Sequence, residues 1–166
     1  MLVATTASSP KLSLLEIEVI DFFVELSALL GQPRSLAEIY GLLFISPHPL
    51  TMDDLVERLE LSKGSASQGL KYLRDLGAVH EIDIPGDRRT HYEAVAELRK
   101  LAAQFLRGQF APRLDSGMGR LDRIAALAKD VPAADREKLQ YRVALLKNWG
   151  KRGKLLLPLI TKLMGK

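Results

Sequence analysis

The segment from Thr51 to Ala94 most constrains the fold, because capping residues, apolar faces and turn signals follow one another there in a fixed order. Thr51 and Ser62 are favourable N-cap residues, and each precedes a short amphipathic helical pattern. Residues 60–62 alone separate the two patterns. Gly77 is suited to the left-handed conformation in which a helix commonly ends. The segment therefore predicts two helices joined by a tight turn.

Two short strands are predicted directly after the second helix. Val79, Ile82 and Ile84 indicate the first strand. Residues 85–87 form a Pro-Gly-Asp turn signal, and residues 91–94 can return as the antiparallel partner. Two short helices with a tight connection, followed at once by a β-hairpin, define a winged helix-turn-helix. We therefore expect a mostly α-helical fold with a small β-hairpin wing.

Further helices are expected on both sides of this region. Residues 12–31 predict a long helix with two apolar rows, and a helix apolar on so much of its circumference must be covered on more than one side. Ser35 and Glu38 form a capping-box pattern for a helix that is predicted to end near Ser46. After Val95 the pattern is helical again, with breaks expected at Pro112, at 115–117 and at 131–132 and a last helix left undecided by Gly150, Gly153 and Pro158.

The outward face of the second helix of the pair supplies candidate DNA contacts. Serine and glutamine can hydrogen-bond to base edges, and a helix N-terminus favours phosphate through its free N–H groups and dipole. Adjacent arginines at a hairpin tip are suited to a phosphate or to the minor groove. Such side chains are most often merely solvated, and their combination with the ordered pattern is what favours DNA binding. The candidates are Ser62, Lys63, Gly64, Ser65, Ser67, Gln68, Lys71, Tyr72 and Arg74 on the helix, with Arg88 and Arg89 on the wing.

The charge distribution qualifies this interpretation. The chain of 166 residues has a formal net charge of +4. Residues 1–98 contain 8 Lys and Arg against 15 Asp and Glu, a net of −7, whereas residues 99–166 contain 16 against 5, a net of +11. The predicted DNA-reading segment, residues 62–91, has 5 basic against 4 acidic residues, a net of +1. The placement of a few residues therefore supports DNA binding more than the overall charge does, and a winged-helix module that binds proteins is the alternative.

Several other classes of protein are excluded or disfavoured. The sequence has no cysteine, which excludes a disulfide scaffold, a Cys-ligated metal site and a thiol nucleophile and agrees with a cytoplasmic location. Residues 1–10 lack the pattern of a secretory signal, and four acidic side chains within residues 12–30 disfavour a membrane span. His48, His80 and His91 lack metal-ligand spacing, and phosphate-binding loops and nucleophile motifs do not occur. We expect no enzyme activity, metal, cofactor or membrane partner.

Four runs of the sequence carry a family resemblance that extends over about residues 12–107. They are L-S-K-G-S-A-S-Q-G-L-K-Y-L-R-D-L-G-A-V, G-D-R-R-T-H-Y-E-A, P-R-S-L-A-E-I-Y-G-L-L-F and P-L-T-M-D-D-L-V. These runs resemble the GbsR branch of the MarR-type transcriptional regulators. The resemblance implies a homodimeric bacterial or archaeal repressor or activator, and we expect its target to be double-stranded DNA with a pseudo-palindromic operator.

The resemblance also implies that the N-terminal and C-terminal helices form the dimer interface. We expect a flexible leader over residues 1–11, a dimerisation helix over 12–31, a DNA-binding domain over 33–95 and a helical dimerisation region over 96–166. Some relatives of this type sense small molecules, so an effector site is a further hypothesis. Aromatic residues at helical spacing are more often core residues, and His48 between two prolines is more typical of a surface. The candidate effector residues are Phe23, Tyr40, Phe44, His48 and Trp149.

Overall fold

The computed structural model describes residues 12–164, which form two compact units. The described part of the first unit extends to Ala96 and combines helices with a small sheet. The second unit begins at Glu97 and is helical over its described residues. The leader expected at residues 1–11 lies outside the described residues. The expected fold class, mostly α-helical with a small antiparallel hairpin, is confirmed.

Helix α1 spans Leu14–Leu29 and begins with a capping box. The Ser13 side chain accepts a hydrogen bond from the Glu16 N–H, and the Glu16 carboxylate accepts one from the Ser13 N–H. Two residues of the helix, Ile20 and Phe23, are buried. The remaining apolar side chains of α1 are exposed or half-buried, so the first unit covers one side of this helix.

Helix α2 spans Arg34–Ile45, and its start differs from the prediction. The capping box expected from Ser35 and Glu38 is wrong, because the helix begins two residues earlier, with Pro33 in the N-cap position, and has no side-chain cap. Glu38 instead forms an ion pair with Arg34, with 2.6 Å between Oε1 and Nε. Oppositely charged residues four apart lie on the same helix face, and this contact competes with capping for the carboxylate.

Helices α3, Met52–Leu59, and α4, Lys63–Asp75, form the predicted helix-turn-helix. The Thr51 hydroxyl and the Asp54 carboxylate make a capping box at the start of α3, which places an acidic residue at the positive end of the helix. Glu60 follows α3 with a left-handed φ of 54° and reverses the chain toward α4. The tight connection expected from the sequence is therefore present.

Three short strands form an antiparallel sheet in the order β1, β3, β2. They are β1 Leu50–Thr51, β2 Val79–Ile82 and β3 His91–Ala94. The β2–β3 hairpin is the predicted wing, although β2 ends at Ile82 and leaves Ile84 outside the strand. The sequence does not predict β1, because two residues are too few to show an alternating pattern. Gly86, with a φ of +89°, supports the turn.

Helix α4 lies unusually close to α2 at Gly69. A Cβ atom at this position would lie 2.5 Å from Ile39 Cδ1, so any larger residue would force the buried Ile39 side chain to shift. Ile39 and Leu55 are fully buried, and Ala66 and Leu70 flank Gly69 on the buried face of α4. This packing directs the opposite face of α4 to solvent.

The second unit contains three α-helices and one π-helical segment among its described residues. They are α5 Leu98–Phe105, the π-helical Leu106–Phe110, α6 Ala111–Leu127 and α7 Ala133–Met164. The breaks expected at Pro112 and at 115–117 are wrong, because the chain is helical without a gap from Leu98 to Leu127 and Pro112 follows directly on the π-helical segment. The break at 131–132 is confirmed, and α7 continues through Pro158.

A largely buried ion pair joins α1 to α3. Glu16 Oε1 lies 2.7 Å from Arg58 Nη2, and the two side chains are 15% and 13% exposed. Burial raises the pKa of Glu16, but hydrogen bonds from Ser13 and the nearby Arg58 guanidinium outweigh burial and hold the pKa below its usual value. A depressed carboxyl pKa stabilises the folded state at neutral pH, and this stabilisation is lost as the pH falls through the folded-state pKa.

Replacing Arg58 with methionine should lower the free energy of unfolding by about 3 kcal/mol, because Glu16 would retain a largely buried charge without its partner. The double variant Glu16→Gln, Arg58→Met removes both charges and keeps a side chain that can complete the capping box, so it should recover most of the loss. Urea unfolding near neutral pH measures both values. Equal losses in the single and double variants would contradict the role of this pair.

Candidate nucleic-acid interface

The outer face of α4 is exposed on the side opposite the Gly69 contact. Gly64, Ser67, Gln68 and Lys71 share this face, because they are separated by three, four or seven helical residues. All four are exposed. Within residues 12–164, the side chains of Ser67, Gln68 and Lys71 form no hydrogen bond or ion pair. Their donors and acceptors are therefore available to a ligand.

In the first turn of α4 the side chain of the N-cap residue is hydrogen-bonded within the protein, whereas the backbone at Gly64 is uncovered. Ser62 Oγ accepts a hydrogen bond from the Ser65 N–H at 3.1 Å and lies 2.9 Å from Ser65 Oγ. Lys63 Nζ lies 3.5 Å from Asp53 Oδ1 of α3, and both side chains are mostly exposed. An exposed ion pair of this length contributes little, so Lys63 can exchange it for a phosphate. Gly64 leaves space in which a phosphate could approach the helix N-terminus closely.

Two of the predicted contacts on α4 are engaged with the protein itself. Tyr72 is half-buried, and its hydroxyl donates to Gln32 Oε1 at 3.0 Å. Arg74 forms an ion pair with Glu81 of β2. Tyr72 and Arg74 therefore bind other residues of the protein, whereas the side chains of Ser67, Gln68 and Lys71 have no partner among the described residues.

The two arginines of the wing differ in their surroundings. Arg89 forms a two-point ion pair with Asp87, with 2.6 Å from Nη2 to Oδ2 and 3.0 Å from Nε to Oδ1. The Arg89 N–H also donates to Asp87 Oδ1 at 3.0 Å. Arg88 is exposed and forms no hydrogen bond or ion pair with any described residue. The free cation of the wing is therefore Arg88.

His91 packs beneath the wing turn and faces the same carboxylate. Its Nδ1 lies 3.0 Å from the Arg89 carbonyl oxygen, so this nitrogen carries a proton and donates it. Its Nε2 lies 3.5 Å from Asp87 Oδ2. Hydrogen bonds from Arg89, together with the charges of Arg89 and His91, hold the pKa of Asp87 well below its usual range. Asp87 therefore remains ionised near neutral pH and offsets the charge of Arg89.

Sequence reasoning missed Asp87 and Gln32 as parts of this site. A recognisable signal exists for Asp87, because an aspartate in a turn commonly accepts from the N–H two residues later, here that of Arg89. Gln32 has no such local signal, since it is 40 residues from Tyr72 in the sequence. The fold alone brings these two side chains together.

The candidate effector residues lie in different surroundings. Phe23, Tyr40 and Phe44 pack ring against ring in the first unit, with ring centroids 5.0 to 5.9 Å apart. The Tyr40 hydroxyl donates to a backbone carbonyl just after β3 at 2.7 Å, and burial raises its pKa to about 12. His48 is exposed, and Trp149 is 78% exposed on α7 of the second unit. The structure therefore gathers three of the five residues, in a packed aromatic cluster.

None of the helices in the described part of the chain is both long and apolar enough to cross a membrane. A group of three or more His, Asp or Glu side chains placed to hold a metal ion does not occur within residues 12–164.

The first unit has the architecture of a winged helix with a free reading face. Residues 25–90 match the model of the MarR family. Over 87 residues the chain is 33% identical to the HTH-type transcriptional repressor GbsR of Bacillus subtilis (strain 168), a match that covers 52% of this chain and 48% of the repressor. The matched region thus spans about half the length of that relative.

A solved structure described as the crystal structure of a transcriptional regulator aligns with a TM-score of 0.50 and 17% identity. The alignment covers 84% of this chain and 95% of that chain, and it shows a likeness of fold. The resemblance to the GbsR branch of the MarR-type regulators, predicted from the sequence, is confirmed over the winged helix.

The different surroundings of the wing arginines predict different effects on binding to duplex DNA. Arg88→Ala should flatten the salt dependence of log K by about 0.9 for each phosphate contact that is lost.

Asp87→Asn should instead increase the affinity for duplex DNA, because it releases Arg89 for a phosphate. Asp83→Asn is the matched control, since it removes one exposed carboxylate from the same hairpin without freeing an arginine. Equal gains for the two asparagine variants would refute the masking of Arg89 by Asp87.

Proposed function

We propose that this protein is a sequence-specific DNA-binding transcriptional regulator that acts as a homodimer in the cytoplasm. The observation that carries the proposal is the exposed, unpartnered face of α4 beside a wing that presents the free Arg88. Similarity to the repressor GbsR over the winged helix favours repression, with promoter occlusion as the mechanism. The proposal includes no enzyme activity, metal or cofactor.

Three groups of side chains have separate tasks in this proposal. Gln68 and Ser67 carry the donors and acceptors that distinguish base edges in the major groove. Lys71 and Lys63, together with the backbone at Gly64, contact phosphates and fix the position of the helix in the groove. Arg88 contacts a phosphate or enters the minor groove beside it. Arg89 joins these contacts where a phosphate displaces Asp87.

The function as a dimer is supported by apolar surface that the single chain leaves exposed. One row lies on α1, where the side chains are 43% to 84% exposed, and another at heptad spacing on α7, where they are 45% to 78% exposed. Extended apolar surface on a protein usually marks an interaction site. The rows are Leu15, Phe22, Leu26 and Leu29 on α1, and Leu145, Trp149, Leu156, Leu159 and Leu163 on α7.

Two charged rows of opposite sign lie on α1 and on α6. Glu18, Asp21 and Glu25 are exposed on one side of α1, and none has an ion-pair partner among the described residues. Arg113, Arg120 and Arg123 are likewise exposed and unpaired within residues 12–164, on the side of α6 away from α7. The acids of α6 lie on its other side, where Asp115 pairs with Lys154 at 2.6 Å and Asp122 with Lys147 at 2.7 Å. In the proposed dimer, the acidic row of one copy faces the arginine row of the other.

A small-molecule effector is a further part of the proposal. The aromatic cluster of Phe23, Tyr40 and Phe44 lies where α1 packs on α2, so a ligand that entered there would shift the helix that carries the dimer surface. A dimer would place two recognition helices about 34 to 36 Å apart on a pseudo-palindromic operator. An effector that changes this distance would lower DNA affinity.

The experiment that tests the proposal is selection of bound duplexes from a random pool, repeated at several salt concentrations. We expect a symmetrical enriched motif. Gln68→Ala should reduce preference for that motif by about 1–3 kcal/mol at the base it contacts and leave the affinity for random DNA nearly unchanged. Equal losses on both kinds of DNA would refute base reading by Gln68. A complete lack of binding would favour the alternative, a winged-helix module that docks on proteins.

The dimer is tested by reversing the two charged rows. The acidic-row variant, Glu18→Lys, Asp21→Lys, Glu25→Lys, and the arginine-row variant, Arg113→Glu, Arg120→Glu, Arg123→Glu, should each dissociate to monomers because like charges then face each other. A mixture of the two should form a heterodimer, since both of its contacts join opposite charges. Sedimentation velocity distinguishes these species.

The control variant is Glu60→Lys, Asp75→Lys, Asp83→Lys, which reverses three exposed acids outside the two rows and should remain a dimer. Circular dichroism confirms that each variant is folded. Variants that remain dimeric alone, or a mixture that stays monomeric, would refute the pairing of the two rows.

A further inference from the structure

Tyr72 lies at the edge of the reading face and is turned away from it. It follows Lys71 directly and lies one helical turn beyond Gln68, so its position in the helix is coupled to the positions of both. The Tyr72 side chain is half-buried, and its hydroxyl donates to Gln32 Oε1 at 3.0 Å. The contact crosses from α4 to the end of α1.

Gln32 is itself held in place by the way in which α1 ends. Gly31 has a left-handed φ of +64°, and its N–H donates to the Ala28 carbonyl at 3.1 Å. The Gln32 N–H donates to the Ser27 carbonyl at 2.9 Å, which completes a Schellman motif. The Gln32 side-chain amide donates to the Leu30 carbonyl at 3.3 Å. Gln32 Oε1, which accepts the hydrogen bond from the Tyr72 hydroxyl, is therefore held in place relative to α1.

The contact at Gln32 is a polar link between the C-terminal end of α1 and the helix-turn-helix. At the other end of α1, Glu16 pairs with Arg58 on α3 at 2.7 Å. The 16 residues of α1 span about 24 Å, so the two links are far apart. A hydrogen bond depends on the angle of the contact as well as on its length, whereas the burial of apolar surface has no preferred direction. Each helix of the pair thus has its own directional connection to the α1 region.

The rotation of α4 about its own axis matters for base reading. Side-chain tips lie about 5 Å from a helix axis, so a rotation of about 20° moves the tip of Gln68 by about 2 Å. A binding constellation tolerates displacements of about 0.5 Å. Core packing around Gly69 sets the approximate rotation of α4, and the hydrogen bond to Gln32 Oε1 adds a directional contact that restricts it further.

We propose that Tyr72 is a positioning residue, whose hydrogen bond to Gln32 sets the rotation of α4 and so the direction of Gln68. The inference rests on the proposed DNA-reading function and replaces direct DNA contact as the role of Tyr72. Tyr72 and Gln32 connect the helix that carries the exposed apolar row to the helix that reads bases. A displacement of α1 is transmitted to the reading face through this contact.

The test measures the affinity of the full-length protein for the selected operator and for a random duplex of the same length, across a salt series. Tyr72→Phe removes the hydroxyl and keeps the ring. It should lower the ratio of specific to non-specific affinity by about 3- to 10-fold, as expected for one hydrogen bond, with no change in salt slope. Gln32→Ala should have the same effect, and the double variant should be no worse than either single variant. Gln32→Glu keeps an acceptor oxygen but loses the amide that donates to the Leu30 carbonyl, so its ratio should lie between those of the wild type and Gln32→Ala.

The outcomes separate positioning from contact. If the Tyr72 hydroxyl touched DNA, Tyr72→Phe would lower affinity while Gln32→Ala would not, and this result would overturn the inference. Effects that add in the double variant would overturn it too. Thermal unfolding checks that both single variants keep their fold, so a loss of ratio without a loss of stability supports positioning. A wild-type protein that binds all duplexes equally would instead overturn the proposed function.

Discussion

The packing of Ile39 of α2 against the backbone of α4 at Gly69 is the constraint on which the exposed face of α4 depends. Because no side chain separates the two helices at Gly69, α4 lies deep against α2 and buries Ala66 and Leu70 beside the contact. The residues a half-turn away are then necessarily directed outward. The free face of α4 is thus a consequence of core packing on its other side, and the polar links to α1 refine its direction.

The parts of the fold that could be predicted from the sequence are those fixed by local chemistry. Thr51 and Ser62 begin helices because their hydroxyls accept from N–H groups three residues on, and Gly77 ends α4 with a φ of +73°. The wing follows from the Pro-Gly-Asp turn between two strands. Each of these signals lies within a few residues of the feature that it determines.

The parts that could not be predicted depend on competition between neighbours or on distant partners. Glu38 had two available contacts, and the ion pair with Arg34 prevailed over the cap at Ser35. Pro112 is a residue type that commonly breaks helices, but it follows directly on the π-helical segment and the helix continues through it. The site shows the same division, since the exposure of Gln68 follows from helical periodicity, whereas the contact between Tyr72 and Gln32 exists only in the folded chain. The assignment of individual DNA contacts remains a prediction.

Thr51 belongs to two elements at once. Its backbone pairs with His91 in the sheet, and its side chain caps α3. β3 is therefore anchored on both edges, by β1 and by β2, while the loop from residue 83 to residue 90 projects beyond the paired region. Changes of length or sequence in that loop leave the anchoring of α3 intact. The wing tip is accordingly a part of the fold in which length and sequence can change without displacing the strand pairing at the start of the helix pair.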